Sequence, residues 1–305
     1  MTLHEFLRSI HFAYRPRSYL EIGVNTGRSL ALSRVPTIAV DPAFRITHEV
    51  RCDLQLVQAT SDDFFARDDA LGHLPDRKVD LAFIDGLHLF EFVLRDFMNI
   101  ERQAKWTSVI VIDDVLPRGV AETSRERGGM KIWTGDVFKV VEVLATYRPD
   151  LLLVPVDTEP TGVLVILGAD ADSTVLAENY DSIVGQHVSP DPQTVPEAVL
   201  RRENAVEPYS IANSNVWAEL ARVRDSGLPR EVGWDNIRRS VEMAARPAAV
   251  RPIPGPASAA EAGPSVTRSP GYAPQRRLVP VRRRLGRFRR AFRRRRKAKQ
   301  KQAHS

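Results

Sequence analysis

An α/β fold with a doubly wound, mostly parallel seven-stranded sheet is predicted by the sequence. Seven short apolar segments recur between residues 18 and 167, and segments with helical periodicity separate most of them. Such alternation favours parallel strands with helices on both faces of the sheet. Only residues 157–162 separate the last two apolar segments, which is too short for a crossover and indicates a hairpin. The final strand is therefore expected to run antiparallel.

The elements follow one another in a regular order. Residues 3–12 predict an amphipathic helix that covers the sheet. Strands are predicted at residues 18–22, 37–40, 54–59, 79–84, 108–112, 151–156 and 163–167. Helical segments are predicted between them at residues 28–33, 62–70, 91–103 and 137–147. Residues 1–170 are expected to form one domain.

The chain continues well past this domain. Residues 171–245 predict a helical extension that serves as a lid, a dimer contact or an accessory subdomain, with helices at 195–202, 215–224 and 236–245. Residues 246–274 are rich in Pro, Ala, Ser and Gly and predict a disordered linker. Residues 275–305 are predicted to be a basic, Arg-rich tail.

Charge is distributed unevenly along the chain. Residues 246–305 contain 18 basic residues and one acidic residue, a net charge of +17, whereas residues 1–245 carry 26 basic and 37 acidic residues, a net charge of −11. Residues 276–301 include 15 basic residues, and their apolar side chains share one face of a potential helix: Leu278, Val281, Leu285, Phe288 and Phe292. This composition suits an anionic membrane surface, nucleic acid, contact with the acidic body, or a solvated end without a single partner.

Three features narrow the class of protein. Cys52 is the only cysteine, which excludes an internal disulfide and indicates a reducing compartment. The first residues lack a secretory apolar region. No apolar run approaches the length of about 18 residues that a membrane-spanning helix needs. A cytoplasmic protein is expected, peripheral at the membrane if the tail binds there.

A glycine-containing turn follows the first predicted strand. Gly23 and Gly27 allow a tight turn that approaches a ligand closely, and Asp41 lies 18 residues after Gly23, where a βαβ unit places an acid against ribose hydroxyls. The spacing Glu-x-Gly-x-x-x-Gly lacks the middle glycine of a dinucleotide fingerprint, which argues against a nicotinamide oxidoreductase. The pattern predicts the adenosine end of another cofactor, although glycines also follow the first strand in α/β proteins that bind none.

Acidic residues follow two later strands of the predicted sheet. Asp85 follows the fourth strand, and Asp113 and Asp114 follow the fifth. If these strands are neighbours, three carboxylates crowd together, and a divalent cation is the usual remedy for their repulsion. An all-oxygen set suits Mg²⁺. Each aspartate could instead cap a turn or the next helix. For His88 three roles are open: metal ligand, general base, or a residue that only hydrogen-bonds its neighbours.

Several of these segments together resemble the class I S-adenosylmethionine-dependent methyltransferases, and within them methyltransferase family 24. The similarity covers about residues 15–170. It is most specific in Phe-Ile-Asp-Gly-x-His at residues 83–88, taken with the later Asp113 and Asp114. The other matching segments are residues 20–24, 40–42, 60–65, 113–117 and 133–137.

The resemblance implies S-adenosylmethionine as the cofactor and Mg²⁺ as a candidate second one. The residues that it places at the cofactor are Glu21, near the methionine amino group; Gly23, Asn25 and Gly27, beneath the sulfonium; Asp41, at the ribose; Ser61 and Asp62, by the adenine; and Asp85. Helix capping is the other role open to Asp62. Related metal-dependent O-methyltransferases bind Mg²⁺ at the positions of Asp85, Asp113 and Asp114.

Methyl transfer to a hydroxyl group of a small molecule or glycan is the implied function. In this hypothesis the metal lowers the pKa of the hydroxyl, and His88 or Asp85 accepts its proton. The oxygen then attacks the methyl group in line with the departing sulfur. A nucleic-acid methyltransferase anchored by the tail, which the acidic body disfavours, and a non-catalytic adaptor of the same fold are the alternatives. The sequence identifies neither the acceptor nor the oligomeric state.

Overall fold

The computed structural model of the chain describes residues 1–248 and residue 251. Its strands are β1 (Tyr19–Ile22), β2 (Thr37–Val40), β3 (Leu54–Val57), β4 (Val79–Ile84), β5 (Ala104–Asp113), β6 (Leu152–Val156) and β7 (Val163–Leu167). Among the described residues these seven strands form one sheet in the order β3-β2-β1-β4-β5-β7-β6. The predicted doubly wound α/β fold is confirmed.

Helices flank the sheet on both faces. Before β7 the chain forms α1 (Leu3–Tyr14), α2 (Ser61–Phe65), α3 (Phe90–Glu101) and α4 (Lys139–Tyr147). After β7 it forms α5 (Val175–His187), α6 (Glu197–Arg201), α7 (Pro208–Ala212), α8 (Val216–Ser226) and α9 (Arg230–Ala244). Short 3₁₀ turns occur at Leu30–Leu32, Pro75–Arg77 and Val120–Thr123.

β1 lies at the centre of the parallel part of the sheet. It pairs with β2 on one side and with β4 on the other, and Ile22 lies beside both Val40 and Ile84. β5 continues the parallel set, with Ile112 beside Ile84. The residues that follow these strands therefore emerge together at one edge of the sheet, the carboxyl edge. Open α/β sheets bind their ligands at this edge.

β7 is antiparallel to its neighbours, as predicted. It lies between β5 and β6 and pairs antiparallel with both, so that Val163 lies beside Asp113 of β5 and Val156 of β6. The link of residues 157–162 joins β6 to β7 at the carboxyl edge. This turn is consequently a neighbour of the end of β5, where the acidic pair lies.

Helices from both halves of the chain cover the sheet. On one face α3 packs against α4 and α5, over a core that includes Phe97 and Ile183. On the other face α1 packs against α8, and the rings of Phe6 and Trp217 meet edge to face with their centroids 6.2 Å apart. Helices within residues 171–245 thus contribute to both layers.

Some helical predictions were wrong in extent. The helix predicted at residues 28–33 is the single 3₁₀ turn Leu30–Leu32, because β2 begins only five residues later and leaves no room for more. The helix predicted at 62–70 ends at Phe65. Helix α5 was missed because only Leu176 and Ile183 of its residues are buried, which leaves a weak apolar stripe.

The start of the predicted linker belongs to the folded part. Pro247 pairs with Val206, and the N–H of Ala248 donates to the carbonyl oxygen of Ala205 at 2.8 Å. Residues 249, 250 and 252–274 of the predicted linker and the predicted tail at 275–305 lie outside the described residues. In the part that the structure describes, no helix has the length and hydropathy needed to cross a membrane.

Candidate active site

Gly23 follows β1 in a conformation that no larger residue would tolerate. Its φ angle is +87°, and a Cβ atom at this position would lie 1.9 Å from the carbonyl oxygen of Asp85. The turn after β1 therefore lies directly against the residue that follows β4. The close approach that glycine permits here is to the protein's own backbone, and it brings two candidate segments of the site together.

Asp41 joins the ends of β1 and β2. Its Oδ2 accepts hydrogen bonds from the N–H groups of Val24 and Asn25, both at 2.8 Å, and its Oδ1 accepts one from Ala43 at 2.6 Å. A carboxylate offers about four lone-pair positions, so these three bonds leave one for a ligand hydroxyl. The residue predicted to hold the ribose also fixes the glycine turn.

A second segment braces the same turn. The N–H of Arg45 donates to the carbonyl oxygen of Asn25 at 2.8 Å. Asn25 has a φ angle of +47°, a left-handed conformation that asparagine tolerates better than most residues. At Gly27 an added Cβ atom would lie 3.0 Å from the side chain of Ile46, which packs there. The turn is thus held by the segment that follows β2.

Glu21 lies beneath the turn. Its side chain is fully buried, and its carboxylate accepts hydrogen bonds from the hydroxyl groups of Tyr19 at 2.6 Å and Ser29 at 2.7 Å. Burial raises the pKa of Glu21 to about 7, although these two bonds and one from the backbone of Leu30 act in the opposite direction. Glu21 therefore supports the turn from below, and its contact with a methionine amino group stays a prediction.

Glu21 makes the stability of the protein depend on pH. Its pKa is about 7 in the folded protein against an ordinary value of 4.5, so between these values the folded protein keeps a proton that the unfolded chain has lost. This stabilisation is fully present below pH 4.5 and is lost as the pH rises through about 7, by about 3 kcal/mol in total. We expect Glu21→Gln, which stays neutral, to have a flatter profile when the free energy of unfolding is measured in urea at several pH values. Parallel profiles for the two proteins would count against this prediction.

The candidates for the adenine side lie at the start of α2. The N-cap of α2 is Thr60, whose hydroxyl accepts a backbone N–H of the first turn at 3.1 Å, so the capping role left open for Asp62 is not realised. Asp62 instead accepts two hydrogen bonds from Arg95 of α3, at 2.6 and 3.0 Å. Burial raises the pKa of Asp96 of α3 to about 7, and the neighbouring Ser61 acts in the opposite direction. Both predicted residues thus link α2 to α3 beside the carboxyl edge.

Asp85, His88 and Asp114 come together at the ends of β4 and β5. Nδ1 of His88 lies 2.5 Å from Oδ2 of Asp114, and Nε2 of His88 lies 3.5 Å from Oδ1 of Asp85. Among the described residues these three form a group whose ligand atoms lie within 4.8 Å of one another. The side chain of Asp85 is 32% exposed and that of Asp114 only 9%. The imidazole therefore bridges two carboxylates and is reached by solvent from the side of Asp85.

Asp113 is adjacent to this group but outside it. Its Oδ1 accepts a hydrogen bond from the N–H of Asp114 at 2.9 Å, and its side chain is buried at the end of β5. The predicted metal set of Asp85, Asp113 and Asp114 thus differs from the group that the structure brings together, in which His88 takes the place of Asp113. The reason is the backbone, because Asp113 is the last residue of β5 whereas Asp114 follows the strand in a left-handed conformation that turns its side chain to His88.

Burial and mutual repulsion change the protonation of these groups. Burial, and next the charge of Asp114, raise the pKa of Asp85 well above its ordinary range, and the same two causes raise the pKa of Asp113. Burial alone lowers the pKa of His88, but its contact with Asp114 outweighs this and leaves the pKa raised. The site therefore concentrates negative charge that protons or a cation must balance.

Trp133 forms a wall of the site to which sequence reasoning gave no role. Its ring stacks on the imidazole of His88 with the centroids 5.0 Å apart and the planes 17° from parallel. Gly135 permits this approach, since its φ angle is +54° and an added Cβ atom would lie 1.7 Å from the carbonyl oxygen of His88. The matching segment at residues 133–137 was the available signal, but spacing along the chain does not reveal a contact with residue 88.

The loop that precedes Trp133 is anchored to two other elements. Arg125 donates a hydrogen bond to Glu91 of α3 at 2.6 Å. Asp191, from the segment after α5, accepts a hydrogen bond from the hydroxyl of Ser124 at 2.8 Å. Nε1 of Trp133 donates to the carbonyl oxygen of Ser124 at 2.6 Å. The segment after β7 therefore contributes to the position of the stacked tryptophan.

Comparison with known proteins yields a family and a set of solved structures. Residues 20–115 match the model of a family described as a methyltransferase domain, the family 24 type. No curated protein matches the sequence. Among solved structures, the O-methyltransferase TomG from Streptomyces achromogenes, involved in tomaymycin synthesis and solved with S-adenosylmethionine, is 17% identical with a TM-score of 0.39 over 55% of this chain and 79% of that one.

Two further structures have comparable similarity. The O-methyltransferase from Bacillus cereus, in complex with S-adenosylhomocysteine, is 13% identical with a TM-score of 0.39 over 54% of this chain and 80% of that one. The MycE methyltransferase of mycinamycin biosynthesis, solved with Mg, S-adenosylhomocysteine and mycinamycin VI, is 16% identical with a TM-score of 0.38 over 60% of this chain and 54% of that one. At such identities the likeness concerns the fold alone.

Proposed function

We propose that this chain, whose residues 20–115 match the model of a methyltransferase domain of the family 24 type, uses S-adenosylmethionine to methylate a hydroxyl group of a small molecule or glycan. One observation carries the proposal. The group formed by Asp85, His88 and Asp114 lies directly against the glycine turn, since Gly23 approaches the backbone of Asp85 more closely than any side chain would allow. A proton-accepting group therefore lies next to the segment proposed to hold the cofactor.

The residues of the carboxyl edge fit the proposed cofactor. S-adenosylmethionine, when bound, supplies an electrophilic methyl group on its sulfonium sulfur. Asp41 keeps one acceptor position for a ribose hydroxyl after its three backbone hydrogen bonds. Ser61 and Asp62 lie at the first turn of α2, beside the edge where we place the adenine.

Asp85 and His88 are the groups that we assign to the acceptor's proton. The raised pKa of Asp85 makes its carboxylate a stronger base than an ordinary aspartate. Its Oδ1 lies 3.5 Å from Nε2 of His88, which places the two candidate bases side by side within ion-pair distance. Oδ2 of Asp114 lies 2.5 Å from Nδ1 on the far side of the ring, and its charge stabilises the imidazolium. Trp133 shields one face of the imidazole and holds its plane.

The same group fits a divalent cation. Two carboxylates and one imidazole form an oxygen-rich set that suits Mg²⁺ or Mn²⁺, and the concentrated negative charge favours such an ion. We assign Asp85, His88 and Asp114 as the residues that would hold it. A cation there would lower the pKa of an acceptor hydroxyl.

Cofactor binding by the full chain is the experiment that tests the proposal. We expect S-adenosylhomocysteine to bind in a calorimetric titration, and Asp41→Ala to weaken this binding by about 10- to 100-fold, the equivalent of one or two hydrogen bonds to a charged group. Asp235→Ala is the matched control, because Asp235 is an exposed aspartate of α9. Thermal unfolding of both variants shows whether the fold is kept.

The outcomes separate the competing functions. Binding that is lost in Asp41→Ala and kept in Asp235→Ala supports the methyltransferase, and hydroxylated acceptors can then be screened. The absence of binding in the wild-type protein would favour a non-catalytic adaptor of the same fold.

A further inference from the structure

Leu116, two residues after Asp114, is held from three directions. Its N–H donates to the carbonyl oxygen of Thr161 in the β6–β7 turn at 2.7 Å. Its own carbonyl oxygen accepts a hydrogen bond from the guanidinium of Arg202 at 2.9 Å. Its side chain packs against Gly162, where an added Cβ atom would lie 2.4 Å from it. The loop that leaves the candidate site is therefore fixed two residues beyond it.

Arg202, which lies outside the sheet, provides the hydrogen bond to the carbonyl oxygen of Leu116. It follows α6 with a φ angle of +58°, and its side chain is only 1% exposed. The guanidinium donates to the carbonyl oxygens of Leu116 and Pro160, the latter at 2.7 Å, and pairs with the carboxylate of Asp157. One planar cation thus connects the loop after β5 to the β6–β7 turn.

Asp157 holds Arg202 together with a second arginine. The carboxylate is buried, and its oxygens accept hydrogen bonds from the guanidinium of Arg251 at 2.8 and 2.9 Å. A buried carboxylate between two guanidinium groups is compensated, whereas removal of one partner leaves charge uncompensated. We call Arg202, Asp157 and Arg251 the Arg202 clasp.

The backbone of Asp114 shows why this clasp matters to the site. Asp114 has a φ angle of +64°, a left-handed conformation that few residues other than glycine adopt and that aspartate tolerates better than most. On one side the chain is fixed by the pairing of Asp113 with Val163 of β7. On the other side it is fixed at Leu116. Asp114 and one further residue span the distance between these two points.

We propose that Arg202 is a positioning residue of the candidate site, which fixes the carbonyl group of Leu116 and thereby the contact of Asp114 with His88. This role rests on the proposed function. Arg202 touches no reacting group and acts through the backbone alone. Arg251 acts one step further away, because its hydrogen bonds hold the carboxylate of Asp157 that pairs with Arg202.

The chemistry of arginine explains why a lysine would not replace it. The guanidinium is a rigid fork that serves two carbonyl oxygens and a carboxylate at once, whereas an ammonium group is a point charge on a flexible stem. Arg202→Lys should therefore keep the positive charge but lose the simultaneous hydrogen bonds to the two carbonyl oxygens and the carboxylate. Arg202→Met should lose both.

The test follows the imidazole of His88 in the full chain by NMR, with ¹⁵N-labelled histidine and with His88→Gln to assign the signal. We expect Arg202→Lys and Arg202→Met to shift the ring nitrogen signals of His88, and Arg251→Gln to shift them by a smaller amount. Arg148→Lys is the matched control. Arg148 is an equally buried arginine that pairs with Glu101 and Asp150, at the opposite end of β5 from Asp113.

The results discriminate a positioning role from a structural one. If Arg202→Lys and Arg148→Lys lower the free energy of unfolding to a similar extent but only the former moves the His88 signals, the proposal is supported. Unchanged His88 signals in folded Arg202→Lys would overturn it, and Arg251→Gln gives the same decision if both Arg202 variants fail to fold. Binding of S-adenosylhomocysteine is measured in parallel; its absence from the wild-type protein would refute the proposed function without affecting the coupling of Arg202 to His88.

Discussion

Gly23→Ala is expected to destabilise the protein strongly and to abolish cofactor binding. Alanine in the left-handed region costs about 1–2 kcal/mol, and overpacking of a tight core site costs about 1–3 kcal/mol more. Here the obstacle is backbone, since the new Cβ atom would meet the carbonyl oxygen of Asp85 at 1.9 Å. The strand ends must separate to admit it, so the glycine turn and the segment that follows β4 move apart.

Gly185→Ala is the control for this substitution. Gly185 lies inside α5, and an added Cβ atom there would meet nothing within 4 Å. We expect this variant to gain about 0.5–1 kcal/mol, the usual advantage of alanine over glycine in a helix. Urea denaturation and titration with S-adenosylhomocysteine measure both variants. Wild-type stability in Gly23→Ala would mean that the close approach of the two strand ends is absent in solution.

Binding of a divalent cation is the second property for which we expect a large effect. Mn²⁺ should bind to the full chain. Loss of a residue that only supports a metal ligand weakens metal binding roughly 10- to 100-fold, and Asp85→Ala, which removes a ligand itself, should weaken it by more than that. Asp114→Asn should do the same, with little strain, because asparagine tolerates the left-handed backbone of Asp114. Methyl transfer, once an acceptor is found, should be abolished in Asp85→Ala.

Asp113→Asn separates the two candidate ligand sets. Its amide oxygen can still accept the hydrogen bond from the N–H of Asp114, so the local backbone should be kept. If His88 completes the set, this variant should bind Mn²⁺ nearly as well as the wild-type protein, and His88→Gln should bind it poorly. Weak Mn²⁺ binding by Asp113→Asn together with near wild-type binding by His88→Gln would instead show that Asp113, and not His88, is the third ligand. Full methyl transfer in excess chelator would exclude a required metal altogether.

The fold was predictable because its signal lies in short apolar segments. β1 and β2 are buried along their whole length, so continuous runs such as Tyr19–Ile22 mark them clearly. The hairpin at residues 157–162 was predictable from its length alone. β5 was predicted too short because it begins at Ala104, and the polar residues Lys105 and Thr107 interrupt the apolar run before the predicted start at residue 108.

The candidate site was predictable only in part. The sequence places Asp85 and Asp114 at strand ends, and strand order then brings them near one another. The approach of His88 to Asp114 depends on left-handed backbone at both residues, which no spacing rule reveals. The contacts of Trp133 and Arg202 join segments more than 40 residues apart in the sequence and arise from tertiary packing.

The bracing of the glycine turn also has a consequence for the thermodynamics of ligand binding. Asp41 and the N–H of Arg45 fix the backbone of the turn in the free protein. Fixing one residue's backbone costs roughly 1–2 kcal/mol of conformational entropy. Because the turn is already ordered when the protein folds, ligand binding does not include this cost. Binding should therefore proceed without a slow ordering step, and backbone amide exchange around Asn25 should already be protected in the free protein.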